Sequence, residues 1–502
     1  MQSVTLSSPL HPTEELVEFD HGEVLKQEKP PQKRKAFVAA ESWKHLMDRI
    51  FKYKRLAGTN PNEPSAIIKP RSKAAGREFS TGDVLKLAAA RYVESAVESG
   101  DGFSMPEQPF GSMFFRLGFE ETEDVELVHL LLASAEKIGD QQYERASNLL
   151  AQCSCLSSCT GNPVKRVVYY FVQALQRRIF KEFENFSVKE VSGMGEFRLD
   201  GDLEERLMGA DPDLLALQKQ VPISQVTQFL GVQPIIDSVV SAKRIHLIDL
   251  GLRLGAQWSI VMKALEGRSS CSVELLKLSA VGTSEEKIEK VGQQLVSFAE
   301  NLKLPFIFKA VIVSDMKDIR EDLFEIESGE AAAVYSPSVM GTMIHRPGCL
   351  ENLLKVIKNL KPCIMTVSEV EANHNSRSFI NRFIEALFFF GAWFDCLDDF
   401  MDRIDHSRIS IEKLLSVGIV NIVATEGDER VIRHVEIDMW RSFFSRFGFI
   451  EVEPTEMSLY QASLLVKRFA CRDSLDIDVN GKIITLGWKG TRLFSFSAWK
   501  LS

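Results

Sequence analysis

The stretch from Ile245 to Trp258, IHLIDLGLRLGAQW, constrains this chain more than any other. Ile245, Leu247 and Ile248 form a short apolar run, around His246, that ends on Asp249. Gly251 and Gly255 follow, and from Gln257 onward Trp258, Val261, Met262 and Leu265 recur at helical spacing. A buried strand, a glycine-bearing turn and a helix make the first βα unit of a doubly wound parallel sheet. Ligands of such sheets sit at the carboxyl ends of the strands, so Asp249 to Gly255 is where a cofactor would bind.

The chemistry of that turn argues against the usual occupant. A methyl-donor site in this position reads Asp/Glu-x-Gly-x-Gly-x-Gly, whereas this chain reads Asp249-x-Gly251-x-Arg253-x-Gly255. Glycine serves at the middle position because it has no side chain and tolerates unusual backbone angles. An arginine there obstructs the approach of the cofactor. The second strand, SVELLKLSAV (272–281), has no acidic residue from Leu275 to Ser284 to hold a ribose. No catalytic, cofactor-binding or metal-ligating residue is therefore assigned.

Beyond Ala242 strands and helices alternate, which means a parallel sheet. After the Ile245 strand, the pattern predicts strands at 272–281, 306–313, 331–336 and 363–370. Helices are predicted at 284–302, 350–360, 379–394 and 440–447, with a mostly helical 395–430. Two late strands, 483–486 and 493–499, flank GWKG and would close the sheet as an antiparallel pair. The preceding half reads as all helix: one segment from Ser80 or Thr81 carrying Val84, Leu87, Ala88, Tyr92 and Val93, then 124–138, 141–153, 163–183, 203–217 and 223–229. The expected fold is α/β. It comprises a methyltransferase-like Rossmann core (242–502), an α-helical cap (81–230) and a disordered basic arm (1–80). Helices near 395–415 are candidates to join the cap.

Charge is unevenly spread. The chain carries −9 overall, but Lys26 to Arg77 holds 14 basic against 4 acidic residues, leaving the remainder near −19. Such a body repels nucleic acid, and no zinc finger, basic zipper or helix-turn-helix pattern appears. Lys33, Arg34 and Lys35 after two prolines form a candidate nuclear localisation signal, with a solvated tail as the alternative. Trp43, Leu46, Met47 and Ile50 recur at helical spacing among basic residues, a segment suited to a partner, a membrane surface or the body itself. No run approaches the roughly 18–20 apolar residues of a membrane span, and no secretory signal is expected at the N-terminus. Eight scattered cysteines fit free thiols in a reducing compartment.

The order of motifs resembles that of the plant GRAS-domain family, from about residue 81 to the C-terminus. Glu126 to Cys153 is similar to its first leucine-rich segment. His246, Leu247, Ile248 and Asp249, with Leu250, resemble its VHIID element, and Lys361 to Phe400 its PFYRE region. Arg430 in RVIRH, Trp440, the Gly448–Phe449 pair, Trp488 in WKG, and Ser497, Ala498 and Trp499 resemble its SAW region. Two departures stand out: the Gly251–Arg253–Gly255 turn replaces a more acidic and polar stretch, and Ile432 stands where the family has a glutamate. The arm shows neither a DELLA nor a VHYNP segment, so a non-DELLA member is expected. The resemblance implies a nuclear transcriptional regulator whose partners are other GRAS-domain proteins and DNA-binding transcription factors. It would act as a homo- or heterodimer, touch DNA mostly indirectly, and involve no membrane.

Three further patterns have two readings each. Leu127, Leu130 and Leu131 form an LxxLL match that serves either a helical partner interface or the core; an interface is the expectation. Leu350, Leu353 and Leu354 repeat the motif, with core as the expectation. Cys153, Cys155 and Cys159 lack zinc spacing and are expected to be structural. Glu369, Glu371, Asn373, His374 and Asn375 form the densest polar cluster at the sheet's carboxyl edge. They are expected to be a hydrogen-bonded loop rather than an acid–base site, and His246 a satisfied buried histidine.

Overall fold

The computed structural model describes residues 79–98, 114–186, 212–268, 272–402, 404–469 and 473–502. Lys33, Arg34, Lys35 and the Trp43–Ile50 segment lie outside them. The described residues fall within one compact unit, residues 42–502.

Strand β1 (Arg244–Asp249) sits inside a sheet rather than at its edge. It pairs in parallel with β2 (Leu275–Gly282) on one side and β4 (Ala331–Pro337) on the other. β3 (Phe306–Ile312) and β5 (Ile364–Val370) extend the parallel part outward. Three of the four connections are helices, α7 (Ala256–Glu266), α8 (Glu285–Asn301) and α9 (Pro347–Leu360), while β3 reaches β4 through two short 3-10 turns, Met316–Asp318 and Glu321–Leu323. Period two explains why both faces are covered. Ile245, Leu247, Leu276 and Leu278 pack with α7, α8 and α6 (Pro222–Ser238). Ile248, Val281, Val334 and Met365 pack on the other face, with α9 and α12 (Ile437–Arg446). Each such aliphatic side chain contributes about 1.5–3 kcal/mol by leaving water.

The end of the sheet is richer than the antiparallel pair expected from sequence. β9 (Thr491–Leu501) lies antiparallel to β5, then to β8 (Ile483–Trp488), which pairs with β7 (Leu475–Asn480). The order is β3-β2-β1-β4-β5-β9-β8-β7, with β6 (Phe449–Val452) also pairing with β9. β9 therefore runs antiparallel between two strands of the parallel direction, β5 and β6. β6, β7 and helix α13 (Glu456–Lys467) are additions to the sequence expectation.

In the first half, α1 (Thr81–Glu98), α2 (Phe119–Gly139), α3 (Tyr143–Leu156) and α4 (Pro163–Phe186) pack together, followed by α5 (Pro212–Gln220) and α6. The last begins near its expected start but continues through Pro234 to Ser238. Two later helices join this bundle. α10 (Phe379–Phe400) packs on α1, α2 and α4, and α11 (His406–Ala424) on α4 and α5. α10 outlasts its expected end at Phe394, and the acids of its last turns find distant partners: Asp395 meets Lys489 at 2.6 Å and Asp398 meets Arg166 at 2.8 Å. Among the described residues no helix is long and apolar enough to cross a membrane.

Candidate functional site

Where β1 ends, Asp249 turns its carboxylate back into its own chain. One oxygen accepts the Gly251 amide at 2.9 Å; the other accepts the Trp258 indole at 2.7 Å and the Gln257 amide at 3.1 Å. Burial raises its pKa to about 6, with those three donors and Arg253 pulling the other way. Gly255 caps α7 at φ +69°, a left-handed conformation. A Cβ there would lie 2.8 Å from Val291, so the turn requires glycine.

Arg253 lies between these two glycines, within electrostatic reach of Asp249, Tyr335 and Glu369, the ends of β1, β4 and β5. Burial lowers its pKa, and its Nε is buried with no hydrogen-bond partner among the described residues. The guanidinium thus sits amid the strand ends where a cofactor would lie, with no close ion pair among the described residues to anchor it. The end of β2 carries no acid, and Ser279 is committed to His246 Nε2 at 2.8 Å. His246 Nδ1 meets Glu330 at 3.1 Å, so this histidine is buried and satisfied. Tyr335 packs edge-on against Trp258, with ring centroids 5.7 Å apart.

The polar cluster after β5 is a clasp. Glu369 accepts the Met340 and Gly341 amides at 2.9 and 3.3 Å, and burial raises its pKa to about 8. Glu371 accepts the Ile437 amide at 3.1 Å, and burial raises it to about 7. His374 donates its amide to the His434 carbonyl at 2.9 Å, and their Nδ1 atoms also lie 2.9 Å apart. One Nδ1 must donate and the other accept, which disfavours a doubly protonated pair. Burial holds His434 down to about 4. Arg430 completes the clasp by donating to the His374 carbonyl at 2.9 Å. Asn373 and Asn375 are half-buried beside it. Glu369, Glu371, His374 and Arg430 thus each bind another part of the same chain.

The remaining motif residues are structural. Ile432 is buried, and its amide donates to Asn421 at 2.8 Å. Trp440 stacks on Phe444, and Trp499 meets Phe444 edge-on while its indole donates to Ser497 at 2.9 Å. Ala498 is buried between β5 and β6. Trp488 donates to Asp395 at 2.8 Å. Cys153 is buried, its thiol pushed up to about 11, and Cys155 is exposed. A cavity of about 180 Å3 lies apart from this edge, lined by Leu230, Pro234, Thr366, Val452, Ile484 and Phe496.

Two arrangements escaped sequence reasoning. Arg166, on α4, is fully buried and bonds Glu412 at 2.9 Å and Asp398 at 2.8 Å, while Arg408 also holds Glu412 at 2.6 Å. Asp395 gathers the Thr81 amide, the Trp488 indole and Lys489. Only the i, i+4 spacing of Arg408 and Glu412, and an aspartate within an apolar helix, hinted at either.

The leucine motif requires a correction. Leu127 and Leu131 are 1% and 0% exposed, inside the chain's own core, and only Leu130 is half-buried against it. Their apolarity is used within the chain, so they present no surface to a partner. Leu350, Leu353 and Leu354 are core as well.

Fold and site together define a Rossmann-type α/β protein with a helical cap, with Arg253 beside the internally bonded Asp249 at the cofactor position. The GRAS domain family model matches residues 127–500, and the chain belongs to the GRAS family. It is 30% identical over 379 residues to DELLA protein RGL1 of Arabidopsis thaliana, covering 75% of this chain and 70% of that one. It is 32% identical over 396 residues to DELLA protein 1 of Medicago truncatula, covering 75% and 63%, so it spans less than two thirds of that relative. The crystal structure of SCL7 from Oryza sativa matches with a TM-score of 0.64 at 22% identity, covering 74% of this chain and 99% of that one. That likeness is one of fold.

Proposed function

We propose that this protein is a plant nuclear regulator of transcription that works by associating with other GRAS-domain proteins and DNA-binding factors, not by catalysis. The observation that carries the reading is the turn after β1: Asp249 is committed to three internal donors, and Arg253 stands where a methyl donor would approach. Family membership supports the regulatory role. In this reading the core (242–502) is a rigid scaffold and the cap (81–230) offers the association surface. With Leu127 and Leu131 buried and Leu130 packed against the core, that surface falls to outward positions such as Leu156 on α3. Lys33, Arg34 and Lys35 would supply the nuclear address.

Co-precipitation from plant cells with mass spectrometry tests the proposal. Transcription factors and GRAS-domain chains are the expected partners. Calorimetric titration of the purified protein with S-adenosylmethionine should give no heat of binding; micromolar affinity would restore an enzyme or receptor reading. Alanine at Lys33, Arg34 and Lys35 should reduce nuclear accumulation of a fluorescent fusion, and an unchanged signal would return the arm to a solvated tail.

A further inference from the structure

Helix α13 (Glu456–Lys467) buries one face and leaves the other uncovered. Ser458, Ala462 and Val466 point inward. Met457, Tyr460 and Leu464 point outward, 61%, 58% and 42% exposed. Their i, i+3, i+7 spacing aligns them in one narrow stripe, the pattern by which a helix presents anchors to a partner. Scattered exposed apolar residues need no explanation, but three in register on one short helix do.

The charges at the two ends of the stripe identify the partner. Glu453 and Glu456 lie at the amino end, Lys467 and Arg468 at the carboxyl end, all four exposed. None of the four makes an ion pair among the described residues. Glu456 and Lys467 are eleven residues apart, three helical turns, and so share one flank of the stripe. An antiparallel copy of the same helix, related by a two-fold axis near Tyr460 and Gln461, sets Met457 against Leu464 and Glu456 against Lys467, twice over. It also brings Glu453 toward Arg468 and opposes the two helix dipoles favourably. A self-complementary patch of this kind is what an isologous interface requires.

We infer that the outer face of α13 is a homodimerisation surface, paired antiparallel with α13 of a second copy of this chain. It is separate from the cap and does not depend on the cap's proposed role. One short helix buries less than a standard interface, so the dimer is reversible and forms in the micromolar range.

The test uses the full chain with Gln461→Cys, treated with a short bifunctional thiol reagent near 100 micromolar, about the concentration such an interface needs. Mass spectrometry then looks for a peptide linked from position 461 to 461. That link is expected. Adding Glu456→Lys or Lys467→Glu turns both end contacts into like-charge pairs and should lower its yield about tenfold. Mixing these two variants opposes the lysine introduced in one copy to the glutamate introduced in the other. At the far end of the same pair, the native Lys467 of the first copy meets the native Glu456 of the second, so the link should return. Circular dichroism verifies that each exposed substitution leaves the fold intact. Absence of the 461–461 link, or a mixture that links no better than either variant alone, overturns the inference.

Discussion

Asp395 is the side chain whose loss should be felt farthest from its own position. It lies on α10 and holds three groups: the Thr81 amide at the start of α1 at 2.8 Å, the Trp488 indole at 2.8 Å, and Lys489 at 2.6 Å. Burial alone would raise its carboxyl; Lys489 and the two neutral donors more than offset this, and the net is a pKa below the ordinary value. Asp395→Asn keeps the shape and one acceptor, but turns an amide NH2 toward the indole N–H and the ammonium. Two donors then lose their acceptor, each costing about 1–3 kcal/mol, and the buried Lys489 loses its closest counter-charge. The expected destabilisation is about 3–5 kcal/mol, the range for breaking a buried pair from one side. At about 2 °C per kcal/mol for a chain of this size, Tm should fall by roughly 6–10 °C. Lys489→Met removes the cation as well, so the double variant should lose clearly less than the two single losses added. The carboxylate's contribution is present above its unfolded pKa and disappears as pH falls through its lower folded value. The gap between wild type and the Asp395→Asn variant should therefore narrow below pH 4, about the unfolded pKa of an aspartate. Denaturant unfolding at pH 7 measures the loss itself. A loss under about 1 kcal/mol, the worth of one ordinary hydrogen bond, would refute the reasoning.

Three further outcomes are expected. Glu369 has its pKa raised to about 8, so its contribution is complete below the unfolded carboxylate range and lost as pH rises through about 8; Glu369→Gln should raise Tm relative to wild type at pH 9, but not below the unfolded range, as differential scanning fluorimetry across pH would show. Gly255→Val forces a β-branched residue to φ +69° and brings its Cβ within 2.8 Å of Val291, so urea unfolding should show a loss above about 2 kcal/mol. Leu127→Asp places a charge at a site 1% exposed, and circular dichroism should report an unfolded or molten cap rather than a folded chain with altered partners.

What the sequence made legible was whatever depends on local period. β1, β2, β4 and β5 came through because both their faces are buried, and the edge strand β3 because its apolar run FIFKAVI is nearly unbroken; boundaries were missed by a few residues at most, β2 starting at Leu275 rather than Ser272. The obstructed turn was legible too, because one arginine in place of one glycine changes what can approach the backbone. β6 was missed because four residues, FIEV, carry no periodic signal of their own. β7 alternates apolar and polar residues through Leu475, Asp476, Ile477 and Asp478, so its signal was present and unread. The Arg166 network and the Asp395 hub were illegible because each joins Arg166 or Asp395 to partners more than 90 residues away, and only packing brings these together. The leucine motif failed differently: LxxLL spacing marks one helix face without saying whether that face turns inward or outward.

β9 has a consequence for how this chain comes to exist. It is the last of the nine strands to be synthesised, yet it is bordered by β5 on one side and by β8 and β6 on the other. While residues 491–501 are still within the ribosome, β5 has an open edge, β8 has β7 alone beside it and β6 has no strand to join. The domain therefore cannot be completed strand by strand as it emerges, although domains generally fold from the N-terminus during synthesis. An early stop codon within these eleven residues would remove an interior member of the sheet, not a frayed end. Until β9 emerges, the nascent chain carries an unpaired apolar edge of the kind that recruits chaperones or aggregates.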